Sequence, residues 1–228
     1  MNNENFSVII NKFKSIVLQI DHNAVLKDAN SAGIAVGAIS DFKNHSHNYW
    51  RIEDIMNTYA GLAARYSALS GATAGVGGAV TLVTLGGVDL ANMAAQLYRL
   101  GQRLAILNGF DPSDAIQKER INEIYLCALG FDGVAQAAIK QQLLRAANIA
   151  GKRGAYSNPV LKLIVIVASK LGKDITSKKA ASYIPVVGFF IGATVNYVFA
   201  RTAAKTMVKL YKEEYFRTWQ ARQGQRSN

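Results

Sequence analysis

Two stretches of this chain run without a charge for as long as a bilayer is thick. Residues 66–88 are 23 uncharged positions between Arg65 and Asp89, and residues 180–200 are 21 between Lys179 and Arg201. A helix that crosses hydrocarbon needs about 20 predominantly apolar residues, so both are long enough. Composition works against the first, which is mostly Ala, Gly, Ser and Thr. Its six glycines (71, 75, 77, 78, 86, 87) each weaken a helix by about 1 kcal/mol relative to Ala. The second is more apolar but carries Pro185 and Asn196. Glycines four apart recur at Gly33/Gly37, Gly71/Gly75 and Gly188/Gly192. On a helix, i and i+4 share a face, so such a pair opens a groove where a second backbone approaches closely. Gly71, Gly75, Gly188 and Gly192 therefore predict a central pair of tightly crossing helices, with packing in water and association in lipid both open. A phosphate-cradling loop at Gly71–Gly78 lacks the Lys-Ser/Thr ending that such loops need.

Elsewhere the apolar residues repeat at helical spacing. Phe6, Ile9, Ile10, Phe13, Ile16, Val17 and Ile20 share one face over residues 4–20, an amphipathic opening helix. Residues 28–40 are small, and a polar loop follows. The period returns at Ile52, Ile55, Met56, Tyr59, Leu62 and Ala63. A third helix is predicted from about Asp89 through Met93, Leu97, Leu100 and Leu104, ending at Asn108-Gly109. Asp111 is then a capping residue, Pro112 a first helical position and Asp114 a first-turn acid. Asp132 caps another helix that stops near Gly151, and Asn158-Pro159 starts the run VLKLIVIVASKL. That run is apolar all round; a strand is possible there, but its neighbours favour a buried helix. There are no hairpin turns between alternating strands and no fixed-period repeat. The fold class is all-α, a single-domain helical bundle with a glycine-rich central helical pair. Its parts are an N-terminal helix and loop over 1–45, a helical domain over 46–222 and a flexible tail over 223–228. The lone cysteine, Cys127, fits a reducing compartment and a small core position.

Charge is distributed as unevenly as hydrophobicity. Residues 1–139 hold 10 Lys+Arg against 12 Asp+Glu, and residues 140–228 hold 16 against 3, so the net charge of +11 arises entirely in the second part. Such asymmetry points to an anionic partner, phospholipid or nucleic acid. The last helix joins the two properties. At about 100° per residue, Ala204, Val208, Tyr211, Tyr215 and Trp219 form one stripe, and Arg201, Lys205, Lys209 and Lys212 form another beside it. An interfacial helix has this form: aromatic and aliphatic groups enter the acyl boundary while lysines reach phosphates. Lys178 and Lys179, in the basic 140–179 region, extend the same field. The opposing expectation is a helix that packs its apolar stripe on the bundle and leaves its lysines in water. The interleaved aromatics also suit base stacking by a nucleic-acid binder, although no RRM, helix-turn-helix or zinc pattern is readable. The N-terminal residues show no basic region and unbroken apolar run of a secretory signal.

Catalytic patterns are thin. His22, His45 and His47 are the three histidines, and His45-Ser46-His47 with Asp41 lacks a distant further ligand for a metal. No Ser-His-Asp order, HExxH or Cys-His motif is present. Asp89, Asp111 and Asp114 would form a carboxylate cluster if their turns converged, but Asp at helix starts is explained by capping alone. No cofactor and no catalytic residue is expected.

One segment carries a family likeness. SALSGATAGVGGAVTLVTLGGVDLANMAAQLYRLGQRLAILNGFDPSD resembles the signature of the EcsC protein family: a Gly/Ala/Thr-rich stretch ending near an Asp, then a helix, then a "YG-x-D" turn. Asp89 stands at the first position and Asn108-Gly109-Phe110-Asp111 at the turn, with the aromatic displaced to Phe110 and Gly87-Val88 replacing a common prolyl. The tail SYIPVVGFFIGATVNYVFARTAAKTM is similar to the family's C-terminal pattern through Pro185, Gly188, Gly192, Asn196 and Arg201. The likeness covers about residues 50–210. It implies a helical fold, a cytoplasmic protein peripheral to or inserted in the inner membrane, and a role accessory to a membrane transporter. The expected function is non-enzymatic binding of anionic lipid headgroups or lipid-like molecules, with a membrane protein partner and oligomers open. The alternatives are a membrane-inserting or pore-forming effector and, from another class, a soluble interaction bundle or a basic nucleic-acid binder.

Overall fold

The computed structural model describes residues 20–71, 78–149, 158–180 and 190–220, without the side chains of 68–71, 78–89, 145–149, 172–180 and 190–196. Its helices are α1 (His22–Ser31), α2 (Tyr49–Gly71), α3 (Gly78–Leu107), α4 (Ala115–Ala128), α5 (Gly133–Ile149), α6 (Pro159–Ala180) and α7 (Phe190–Tyr215). Two short 3-10 turns, Ile39–Asn44 and Ser46–Asn48, precede α2, and a π-helical turn, Phe216–Gln220, follows α7. There is no strand among the described residues. The all-α expectation holds, and the apolar run after Asn158-Pro159 is helix. The opening helix over 4–20, Gly75, Pro185, Gly188 and the 223–228 tail lie outside the described residues.

Local chemistry fixes most boundaries. Asp21 caps α1 by accepting from the Ala24 N–H at 3.1 Å, and Asp132 accepts from Ala135 N–H at 2.8 Å at the start of α5. Asn158 accepts from Val160 N–H at 2.9 Å at the start of α6. The stop at Asn108-Gly109 is a glycine turn. Gly109 has φ +77 and donates to Ile106 O at 2.9 Å, while Phe110 N–H donates to Ala105 O at 2.9 Å. That geometry suits Gly because a Cβ is disfavoured at positive φ. Space agrees, since an added Cβ would lie 3.4 Å from Lys43 N and 3.6 Å from Trp219 Nε1.

Four expectations are corrected. Helix α3 starts at Gly78, so Asp89 lies inside a continuous helix rather than at its start. The N-cap of α4 is Asp114, which accepts from Gln117 N–H at 2.9 Å. Asp111 instead ties the preceding turn, accepting from Ser113 N–H and Oγ–H at 2.8 and 2.7 Å, and Gln117 reaches back to Asp111 N–H at 2.6 Å. Gly33 and Gly37 follow α1 rather than ride on a helix. Gly33 (φ +77) donates to Asn30 O at 3.0 Å to end it, and Gly37 N–H donates to Asp41 at 2.9 Å. Cys127 is exposed, because the buried stripe of α4 runs through Ile121, Ile124, Tyr125 and Ala128 and leaves it outside.

Helices α2, α3 and α7 form the centre. Ile52, Met56, Tyr59 and Ala63 of α2 share a core with Met93, Leu97, Leu100 and Leu104 of α3 and Ala203, Ala204, Met207 and Tyr211 of α7. Tyr49 lies beside Tyr215 (ring centroids 4.6 Å) and Glu53 pairs with Lys212 at 2.6 Å, so α2 and α7 run antiparallel. Farther along the two helices Ala60, Ala64, Ala200 and Ala204 are all buried in the same core, small side chains that permit close packing. Val25, Ala29, Ile34 and Phe42, from the 1–45 portion, belong to the same core. Helix α4 is tied to α3 by Tyr98 donating to Asn122 at 2.9 Å and Tyr125 donating to Ala94 O at 3.0 Å. It is tied to α7 by Arg120 and Glu214 at 2.5 Å.

Candidate functional site

The last helix distributes its two stripes differently from an interfacial helix. Ala204, Val208, Tyr211 and Tyr215 are buried, and Trp219 packs partly buried against the core. Two of these aromatics, Tyr215 and Trp219, are also committed by hydrogen bonds. Tyr215 Oη donates to Phe42 O at 2.9 Å, and Trp219 Nε1 donates to Asn108 O at 2.9 Å. Tyr49 Oη donates to the buried Asn108 side chain at 2.7 Å, which ties the end of α3 into the same cluster. Tyr211, Tyr215 and Trp219 are therefore core residues, not an apolar membrane face. A helix in a bundle buries its most apolar stripe, and this stripe faces α2 and α3. The same burial removes the platform on which bases would stack.

The cationic stripe remains outside. Arg201, Lys205 and Lys209 are exposed, and Lys212 is half-buried against Glu53. Arg201 lies 5.9 Å from the Tyr197 ring centroid. Lys209 lies 3.8 Å from Glu213. No carboxylate among the described residues lies within ion-pair distance of Arg201 or Lys205. The row is held facing outward because its opposite face is pinned by Tyr211, Tyr215 and the Glu214 cluster. Glu214 accepts from Arg120, Arg217 and Thr218. Burial works against the Arg120 charge, but Glu123 and Glu214 outweigh it and raise its pKa. Lys178 and Lys179 fall near the end of α6, Gly71 ends α2, and Gly192, Asn196 and Asp89 lie on helices, all with side chains outside the description.

A second feature lies on the other side of α2. Tyr59, Leu62, Ala63 and Tyr66 form an i, i+3, i+4, i+7 stripe, and Gln96, Arg99, Leu100 and Arg103 form the same stripe on α3. Between them is a cavity of about 310 Å³. Tyr66 (57 % exposed) and Leu62 (39 %) stand at its mouth. The Arg103 guanidinium lies 5.1 Å from the Tyr59 ring centroid, and Tyr59 Oη donates to Asp28 at 2.5 Å. Burial, then that bond, push the Tyr59 hydroxyl up. Arg99 Nε is buried without a hydrogen-bond partner. Burial, then the neighbouring Arg103 charge, push the Arg99 pKa down. No carboxylate among the described residues lies within ion-pair distance of either arginine.

The sequence reading missed this cavity because it followed net charge. Both arginines lie in the part whose net charge is negative. The available signal was local, two arginines four apart on a helix whose one other charged residue is Asp89. The histidine loop, by contrast, is structural: His45 Nε2 donates to Ala35 O at 3.1 Å, and Asp41 accepts from Gly37 and Ala38 N–H. Those backbone bonds hold the Asp41 pKa below its usual value. Among the described residues no cluster of three or more His, Cys, Asp or Glu could hold a metal ion, and no helix is long and apolar enough to cross a membrane.

The chain matches the EcsC protein family over residues 10–215 and belongs to it. The match begins well before residue 50, where the motif likeness begins, and so takes in α1 and the loop after it. No curated protein and no solved structure matches the chain.

Proposed function

We propose that this member of the EcsC protein family is a non-enzymatic helical protein that binds anionic lipid headgroups peripherally. The observation that carries this reading is the exposed row Arg201, Lys205 and Lys209, left in water by a helix whose other face is core. An anionic surface attracts each nearby Lys or Arg by about 1 kcal/mol, without any apolar insertion. The net charge of the second part of the chain makes that attraction long-ranged at low salt. With Tyr211, Tyr215 and Trp219 committed to the core, headgroup contact is electrostatic. Nucleic acid is the less favoured anion, since the same burial takes away stacking.

Cosedimentation with vesicles tests the reading. The protein should pellet with phosphatidylglycerol vesicles at low salt, leave them as salt rises, and ignore phosphatidylcholine. Reversing the row (R201E, K205E, K209E) should weaken binding by about 100-fold or more, at about 1 kcal/mol per charge removed. Pelleting that resists salt, or a reversed variant that binds like wild type, would refute peripheral attachment through α7.

A further inference from the structure

The α2–α3 cavity is an independent feature, and its chemistry selects a ligand. We propose that it binds a small phosphate monoester, with Arg99 and Arg103 on the phosphate and Tyr59, Leu62, Leu100 and Tyr66 around the organic group. Residues four apart on one helix face lie about 5–6 Å apart at Cβ, so both guanidinium groups reach one tetrahedral anion. Each guanidinium offers five N–H donors. The Arg103 guanidinium lies over the Tyr59 ring, 5.1 Å from its centroid, a cation–π contact that uses none of its N–H donors in a hydrogen bond. Without a ligand, two like charges share a partly buried site, with no carboxylate of the described residues within ion-pair distance and Asp28 engaged by the Tyr59 hydroxyl. An anion on their accessible guanidinium N–H donors balances that charge.

Charge sets the headgroup. A phosphate monoester carries about −1.5 to −2 at pH 7, matching two arginines, whereas a carboxylate matches one. Shape sets the remainder. The cavity, about 310 Å³, lies at the lower end of the roughly 300–1,000 Å³ typical of small-molecule sites. It holds a headgroup with a short alkyl or aromatic body and does not enclose a diacyl lipid. The proposal requires nothing of the α7 row and stands or falls separately from vesicle binding.

Calorimetric titration of the full chain with hexyl phosphate is the test. Hexyl phosphate should bind one to one, with hexanoate and inorganic phosphate each about tenfold weaker and hexyltrimethylammonium silent. Arg99→Gln and Arg103→Gln should each weaken hexyl phosphate at least about tenfold. Leu62→Trp, which narrows the mouth without changing charge, should do so comparably, and circular dichroism checks that each variant is folded. Absence of hexyl phosphate binding, or folded arginine variants that bind as wild type does, would overturn the site. Equal affinity for inorganic phosphate would overturn the monoester assignment.

Discussion

Against α7 and the turn after it, helix α2 presents Tyr49 and Glu53 to groups that answer them: the Tyr49 ring packs tilted against Tyr215 and Phe216, and Glu53 pairs with Lys212. Against α3 it presents Tyr59, Leu62 and Tyr66 to Arg99 and Arg103, which have no carboxylate within ion-pair distance among the described residues, and the helices part around a cavity. Both seams combine aromatic rings with cations. The difference lies in whether the cation finds an acid and the ring finds a second ring. Where both do, the seam closes and serves stability; where the cations find no acid among the described residues, space and charge remain for something outside the chain.

The largest expected effect separates the seams by truncation. Tyr215 is fully buried with its hydroxyl on Phe42 O, so Tyr215→Ala should cost about 3–5 kcal/mol, as for other large aromatics. Leu62→Ala, at the mouth of the open seam, should cost under about 1 kcal/mol. Urea unfolding of both variants measures the contrast, and equal losses would mean that the cavity wall is as structural as the closed seam.

Alkaline pH probes the closed seam next. Burial pushes the Tyr215 hydroxyl up to about 12, against about 10 in an unfolded chain. Above pH 10 the unfolded chain gives up a proton that the folded one keeps, so stability is complete below pH 10 and falls as pH rises toward 12. The share from Tyr215 is about 2–3 kcal/mol. Tyr98, Tyr125 and Tyr211 are shifted in the same direction by burial. The diagnostic is therefore Tyr215→Phe. Its lost hydrogen bond lowers stability at every pH below 10, while the slope between pH 10 and 12 becomes shallower by one proton. An unchanged slope would mean that Tyr215 titrates normally and the seam opens to water.

The contrast between the seams explains what could be read in advance. Helices were legible because period and caps are local: Asp132, Asn158 and the Asn108-Gly109 stop act within a few residues. Local signals start α3 too late, at Asp89, because a carboxylate there resembles a cap, whereas the small, uncharged residues before it continue the helix. The cationic row was legible as well, since exposure is the ordinary state of lysine. The fate of the aromatic stripe was not, because a helical wheel gives one helix's faces and no neighbours. Tyr215 meets Tyr49 across 166 positions of chain, and Arg99 meets the Tyr59–Leu62 wall through packing alone. Net charge even concealed that pair, since summing over residues 1–139 hides two arginines among twelve acids.

The smallest effect has the most to say about the open seam. Arg99 and Arg103 are like charges at i, i+4, an arrangement that costs a helix about 0.2–0.5 kcal/mol. Arg103 recovers something through Tyr59, whereas Arg99 has a buried Nε without an acceptor. Arg99→Gln thus removes repulsion and keeps the stack, and stability without ligand should stay level or rise by up to about 0.5 kcal/mol. The gain should be larger in dilute buffer and fade with salt, because screening already weakens the repulsion it relieves. Arg103→Gln gives up the cation–π contact, worth about 0.5–1 kcal/mol, and should come out level or slightly below wild type. Thermal melts at two salt concentrations decide the matter. A loss above about 1 kcal/mol for Arg99→Gln would make that arginine a structural strut and close the comparison from the other side. A level or rising melting temperature means that the fold tolerates Arg99 rather than needs it, leaving the charge free for a ligand.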